Sequence, residues 1–267
     1  IRDPLWSRGL GDVYKRQTVL GPTSGLAWFR GKISARFEVK FRGRLGPEAT
    51  DDKSISLLNR VIEWTEDGIS YEADHRHAEI IVQELGLSEK SKSVNTPSQK
   101  AVCEPNPLLS QQDPTVYRAL VARANYIAQD RVDICYPVKE LCKQMSNPGR
   151  GDWEALKSLG RYLSNKLRVV ARYEYQDTPT DVEATVDADY AGCPATRKST
   201  SGGVITLGGH VIKDWSATQK VIALSSGEAE YYGLAKGASE AMGAQSILSD
   251  LDIDWRIRLS EDSSAKR

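Results

Sequence analysis

The chain has 267 residues, of which 40% are hydrophobic and 27% charged, and its 36 Lys and Arg balance 36 Asp and Glu. This is the make-up of a soluble globular chain with one large or two modest domains, and a net charge of zero names no partner. No apolar run approaches the ~20 residues of a membrane span and no signal peptide is visible, so no membrane partner is expected. Cys103, Cys135, Cys142 and Cys193 form no CxxC pair and read as free thiols, neither a disulfide framework nor a zinc site.

In chain order, residues 1–17 lack periodicity and read as an extension outside the fold. Residues 32–72 read as strands: KISARFEVKFRG, with Ile33, Ala35, Phe37, Val39 and Phe41 alternating, then SISLLNRVIEW and GISYEA, separated by Gly, Pro and Asp-rich turns. A helix is predicted at DHRHAEIIVQELG, with Asp74 as its cap and Gly86 as its stop. Residues 88–113 have linker composition. Three helical patterns follow, TVYRALVARANYIAQ, VDICYPVKELCKQM and DWEALKSLGRYL; Pro137 should start or kink the second, and Asp152 should cap the third.

From Leu167 the hydrophobic period changes to two. LRVVARYEY and VEATVDADY read as strands, and GGVITLGGHVIKDWSA as a hairpin turning at Gly208-Gly209. A long helix starts at Ser225, where Ser225 and Glu228 have capping-box spacing, and WRIRLSED is a last strand. The whole is an α+β (α/β) chain ending in a mixed sheet.

Three acids fall at element ends: Asp187 late in its strand, Glu230 in the first turn of the long helix, and Asp262 at the end of the last strand. If three strands form an antiparallel meander and the helix crosses over right-handedly, the last strand lies parallel to the first and the three carboxylates converge. Their mutual repulsion would be relieved by a hard divalent cation, Mg²⁺ or Mn²⁺, and two such ions ~4 Å apart suit cleavage of a phosphodiester. Asp and Glu are equally common at element ends as caps and turn formers, so spacing leaves both readings open.

Charge is unevenly spread. From Asp181 onward there are nine Lys and Arg against thirteen Asp and Glu, leaving 27 against 23 before it. A basic body beside an acidic segment suits a nucleic-acid binder with a metal pocket, although ordinary soluble proteins show contrasts of this size. Arg118, Arg123, Lys139, Lys143, Arg150, Lys157 and Arg161 could form a nucleic-acid track or simply solvated helix faces. In TRKSTSGG, Arg197 and Lys198 could contact phosphates, with Ser199 and Thr200 adding hydroxyl donors; a solvated hairpin loop is the plainer reading. His75, His77 and Glu79 lack HExxH spacing, Cys135 and Cys142 share a helix face as packing residues, and Trp215 reads as a core aromatic.

The stretch from VDADYAGC through TRKSTSGG and WSATQ to SSGEAEYYGL closely resembles the ribonuclease H domain of copia-type LTR retrotransposon polyproteins. YRALVARANYIAQDRVDICYPVKELCKQMSNP and WEALKSLGRYL are similar to the region after the polymerase palm in the same polyproteins, and YEADHRHAEIIVQELGL to a still earlier part. The resemblance implies an irregular extension over 1–29, a reverse transcriptase C-terminal (thumb/connection-like) region over 30–165, and a partial ribonuclease H-like domain over 166–267. By this resemblance Asp187, Glu230 and Asp262 are the catalytic and metal-holding acids. They would bind two Mg²⁺ (or Mn²⁺) ions and hydrolyse the RNA strand of an RNA–DNA hybrid, in an intracellular, cytoplasmic virus-like particle and alongside the remainder of the retroelement polyprotein. The polymerase motif, aromatic-x-Asp-Asp, is absent; Asp51-Asp52 lies among polar residues and reads as a turn. The family's domain continues to a fourth acidic ligand, whereas this chain ends at Arg267. That implies a ribonuclease H-like sheet truncated at its C-terminus with impaired activity or, alternatively, a catalytically inert nucleic-acid-binding or structural remnant.

Overall fold

The computed structural model describes residues 18–87, 91–97, 107–108 and 113–261. They fall into two units, residues 1–44 and 45–267.

Among its described residues the first unit holds one helix, α1 (Thr23–Ser34), which starts after Pro22 with the Leu26 N–H donating to the Pro22 carbonyl at 3.0 Å. The strand expected over 32–43 is not formed. Residues 32–34 complete α1, and Phe37, Val39 and Phe41 stay exposed with no partner strand among the described residues. Alternation specifies a strand only when a sheet accepts its apolar face. Here Phe41 instead lies under the Arg30 guanidinium, 4.4 Å from its ring centre.

Among the described residues, the second unit contains two four-stranded sheets, five α-helices and a short 3-10 turn at Val132–Ile134. In the first sheet, β1 (Ser54–Leu57), β2 (Arg60–Trp64), β3 (Gly68–Glu72) and β4 (Val170–Glu174) run antiparallel in that spatial order. SISLLNRVIEW, expected as one strand, is a hairpin. Leu58 and Asn59 take φ of 53° and 63°, the two left-handed residues of a tight type I′-like turn, and Leu57 pairs with Arg60. β4 opens the segment whose hydrophobic period is two, yet it pairs with β3, from Gly68 opposite Glu174 to Glu72 opposite Val170.

Four helices, α2 (Arg76–Glu84), α3 (Pro114–Ile127), α4 (Cys135–Lys143) and α5 (Arg150–Asn165), bury a common core. Its fully buried members Val121, Ala124, Ile134, Val138, Leu156, Leu159 and Leu163 recur at helical spacing. Burial of each large aliphatic side chain contributes about 1.5–3 kcal/mol. Asp74 caps α2 as expected, accepting the Arg76 N–H at 3.1 Å, and Gly86 at φ +65° ends it. α5 begins earlier than expected: Asp152 sits in its first turn and accepts the Gly149 N–H at 2.8 Å, capping the helix from inside. Pro137 lies in the first turn of α4, where its missing N–H costs nothing.

The second sheet is the mixed sheet predicted from the sequence. β5 (Asp181–Ala188), β6 (Thr200–Leu207) and β7 (His210–Thr218) form an antiparallel meander, with Gly208 at φ +58° in the β6–β7 turn. α6 (Ser226–Ser249) then crosses over and delivers β8 (Arg256–Glu261) parallel to β5, in the spatial order β7-β6-β5-β8. Along β5, Val182, Ala184 and Val186 are buried, while Thr185 and Asp187 are exposed. The buried side of α6 is Ala229, Gly233, Gly237 and Ala241, four apart on one stripe. A Cβ on Gly237 would come within 2.4 Å of Val186 Cγ2, so small residues let the helix backbone lie directly on β5.

Candidate functional site

The site is built where β5, β8 and the first turn of α6 meet. Ser225 caps the helix, its Oγ accepting the Glu228 N–H at 3.1 Å, while the Glu228 carboxylate accepts the Leu224 N–H at 2.7 Å. Glu228 is thereby spent on the cap, and its other oxygen accepts from the Tyr232 hydroxyl at 3.0 Å. Glu230 is left over from the cap. It lines a hollow with Val186, Asp187, Ala188, Leu234 and Glu261. Two carboxylates named from the sequence, Asp187 and Glu230, therefore meet at one place.

Glu261 is a lining residue that sequence reasoning passed over, although it adjoins the named Asp262. In the parallel ladder it pairs with Val186, one residue before Asp187. Asp262 lies outside the described residues. Among the described residues, no group of three His, Cys, Asp or Glu side chains is placed to hold a metal ion. The donor set present is two carboxylates with a third alongside, all hard oxygen ligands. That fits Mg²⁺ or Mn²⁺, which commonly take one or two protein carboxylates and fill their remaining positions with water and substrate phosphate.

Asp189, two residues beyond Asp187, has a different task. Its carboxylate accepts the Thr200 N–H and its own N–H donates to the Thr200 carbonyl at 3.0 Å, closing the loop between β5 and β6. In that loop Arg197 is exposed at φ 57° and Lys198 is half-buried. Ser199 corrects the expectation of a phosphate donor: it is fully buried, and its hydroxyl accepts the Ala191 N–H at 2.9 Å. The Thr200 hydroxyl accepts from Lys139 Nζ at 2.9 Å, joining β6 to α4.

Most of the expected basic track is engaged within the protein. Arg118 donates to the Met145 carbonyl, Arg123 meets His77 Nδ1 at 3.2 Å, Lys139 and Lys143 share Glu140, and Lys157 pairs with Glu154. Burial pulls the Lys139 ammonium below its ordinary pKa, a shift that Glu140 opposes. His77 also lies against the Tyr126 ring, with centroids 4.7 Å apart.

A second hollow lies between α4 and the sheet, lined among others by Cys135, Tyr136, Asp187, Gly202, Asp214 and Trp215. Burial pushes the Cys135 thiol up to about 11 and raises Asp214, with which it shares a hydrogen bond. Cys142 packs against the helical core, and Trp215 against that of the second sheet.

With this geometry in view, the relatives are informative. The chain is 32% identical over 166 residues to an uncharacterized mitochondrial protein of Arabidopsis thaliana, covering 62% of this chain and 68% of that protein. It is 37% identical over 141 residues to the retrovirus-related Pol polyprotein from transposon RE2 of Arabidopsis thaliana, which covers 53% of this chain and 10% of the polyprotein. To the corresponding polyprotein from transposon RE1 it is 36% identical over 169 residues, 61% of this chain and 11% of that one. No protein-family model matches the chain, and no solved structure matches it significantly. The chain is thus similar to a segment of retrotransposon Pol polyproteins, and it spans about a tenth of the length of those it matches.

Proposed function

We propose that residues 181–261 are the core of a ribonuclease H-like domain whose ancestral reaction is metal-dependent hydrolysis of the RNA strand of an RNA–DNA hybrid. The helical region before them corresponds on this reading to the downstream part of a reverse transcriptase. The observation that carries it is the meeting of Asp187 and Glu230, with Glu261 beside them, where a crossover helix joins two parallel strands. Asp187 and Glu230, with Asp262 as the third acid by resemblance, would hold divalent cations. Bound there, Mg²⁺ would supply an activated water and stabilise the leaving 3′ oxygen. Arg197 and Lys198, on the loop leaving the same strand, would contact the phosphate backbone. Recognition of the hybrid would rest on its shape and on RNA 2′-hydroxyls.

The test is cleavage of an end-labelled RNA–DNA hybrid in Mg²⁺ by the chain and by Asp187→Asn. Cutting by the first and loss of cutting in the second is the expected result. Equal cutting by both would reject the site, and hybrid binding without cutting by either would favour an inert binding remnant.

A further inference from the structure

Asp187 and Glu230 stand on separate elements, and something must hold the first turn of α6 at the end of β5. One buried side chain spans the gap. Gln219, which follows β7, is 8% exposed, and its Nε2 donates to Ser201 Oγ at 2.9 Å and to the Ala229 carbonyl at 2.7 Å. Each acceptor adjoins a residue that lines the hollow. Ser201 is the antiparallel partner of Ala188, the residue after Asp187. The Ala229 carbonyl belongs to the peptide bond that leads into Glu230. The Gln219 backbone N–H is fixed as well, donating to the Ser199 carbonyl at 2.8 Å. Ser201 is 3% exposed and Ala229 fully buried, so water does not substitute for the amide.

We infer that Gln219 is a positioning residue that sets the separation of Asp187 and Glu230 by tying β6 to the first turn of α6. The inference rests on the metal-holding reading of those two acids. A side-chain amide is suited to the task because its NH₂ carries two donors, one for each oxygen. A carboxylate of the same shape would face the Ala229 carbonyl with an acceptor and repel it. The Ser225 cap fixes where the helix starts; the Gln219 amide fixes where its first turn sits over the sheet.

The experiment measures Mn²⁺ affinity of the full chain by electron paramagnetic resonance, at a temperature where circular dichroism shows each variant folded. Asp187→Asn serves as the benchmark. Partners that orient metal ligands typically alter affinity 10–100-fold, so Gln219→Ala and Gln219→Glu are expected to raise the Mn²⁺ Kd about tenfold. Ser201→Ala, a milder cut of the same tie, should raise it by a smaller factor and remains usable if the Gln219 variants do not fold. Wild-type Mn²⁺ affinity in the Gln219 and Ser201 variants, with affinity lost in Asp187→Asn, would overturn the positioning role alone. Equal Mn²⁺ binding by the wild-type chain and Asp187→Asn would overturn the metal reading and the inference together.

Discussion

The packing of Trp215 over β6 makes a sharp prediction at Gly203. These two residues are direct partners in the β6–β7 ladder. A Cβ on Gly203 would stand 2.2 Å from Trp215 Cζ2, 2.5 Å from Cη2 and 2.9 Å from the Thr185 carbonyl oxygen. Carbon atoms pack at ~3.5–4.0 Å, so the indole edge would have to retreat by roughly 1.3 Å or more. Overpacking of this kind costs about 1–3 kcal/mol, of which the lower entropy of an unfolded Ala chain returns about 0.4–1 kcal/mol. Gly203→Ala should therefore destabilise the protein by about 1–2 kcal/mol, or roughly 2–8 °C in Tm for a unit of this size. Urea unfolding followed by tryptophan fluorescence reads the midpoint, and near-UV circular dichroism reads the displaced indole. In a Trp215→Leu background the clash with the indole is gone while the one with the Thr185 carbonyl stays, so the cost of Gly203→Ala should fall by about 1 kcal/mol without vanishing. A wild-type midpoint in Gly203→Ala, or the same loss in both backgrounds, would refute the packing argument.

Three further outcomes are expected. Ser225→Ala removes the acceptor of the Glu228 N–H and should cost about 1 kcal/mol, with faster amide exchange confined to the first turn of α6. Burial alone would raise the Asp133 carboxyl, but hydrogen bonds from Arg131 and Tyr162 outweigh it and hold the group below the usual carboxylate range. A folded pKa below the unfolded value of about 3.9 gives stability that is full above that value and lost as pH falls through the folded pKa. Asp133→Asn should thus be less stable near pH 6 with a shallower acid limb in its urea midpoints; parallel curves would count against the pair. Among thiols, the Thr196 hydroxyl lowers Cys193, whereas burial raises Cys135 and Cys142. Iodoacetamide at pH 8 with peptide mapping should therefore label Cys193 first of these three, and equal rates would contradict the assignment.

The second sheet was legible because its signals were redundant. Val182, Ala184 and Val186 alternate, Gly208-Gly209 marks the turn, and Ser225 with Glu228 marks the helix start, so the handedness of crossovers left one arrangement. The first unit carried a single signal, the alternation from Ile33 to Phe41, and no neighbouring strand among the described residues uses it. Leu58-Asn59 hid a hairpin because Leu rarely accepts a positive φ, which the turn between the paired strands β1 and β2 requires of it. At the site, the convergence of Asp187 and Glu230 on one hollow could be anticipated from their places at the ends of two elements. Gln219 could not be, since a lone glutamine after a strand has no pattern, and its importance comes from Ser201 and Ala229, residues distant in sequence. Ser199 misled for the opposite reason: a hydroxyl in a polar loop looks available until the fold buries it.

The pairing of β4 with β3 bears on how the chain can be divided. Residues 175–180 link β4 in one sheet directly to β5 in the other. A recombinant piece cut at residue 166 to isolate the C-terminal sheet would carry β4 away from its only partner among the described residues. Left behind, β3 would present an open row of amides and carbonyls, and each product would gain an unpaired strand able to recruit another molecule. A cut within 175–180 separates the two hydrogen-bonded ladders cleanly, though it still parts Thr200 from Lys139 and Asp214 from Cys135. Poor solubility of a piece beginning at residue 166 would therefore reflect a misplaced seam and not an unstable fold.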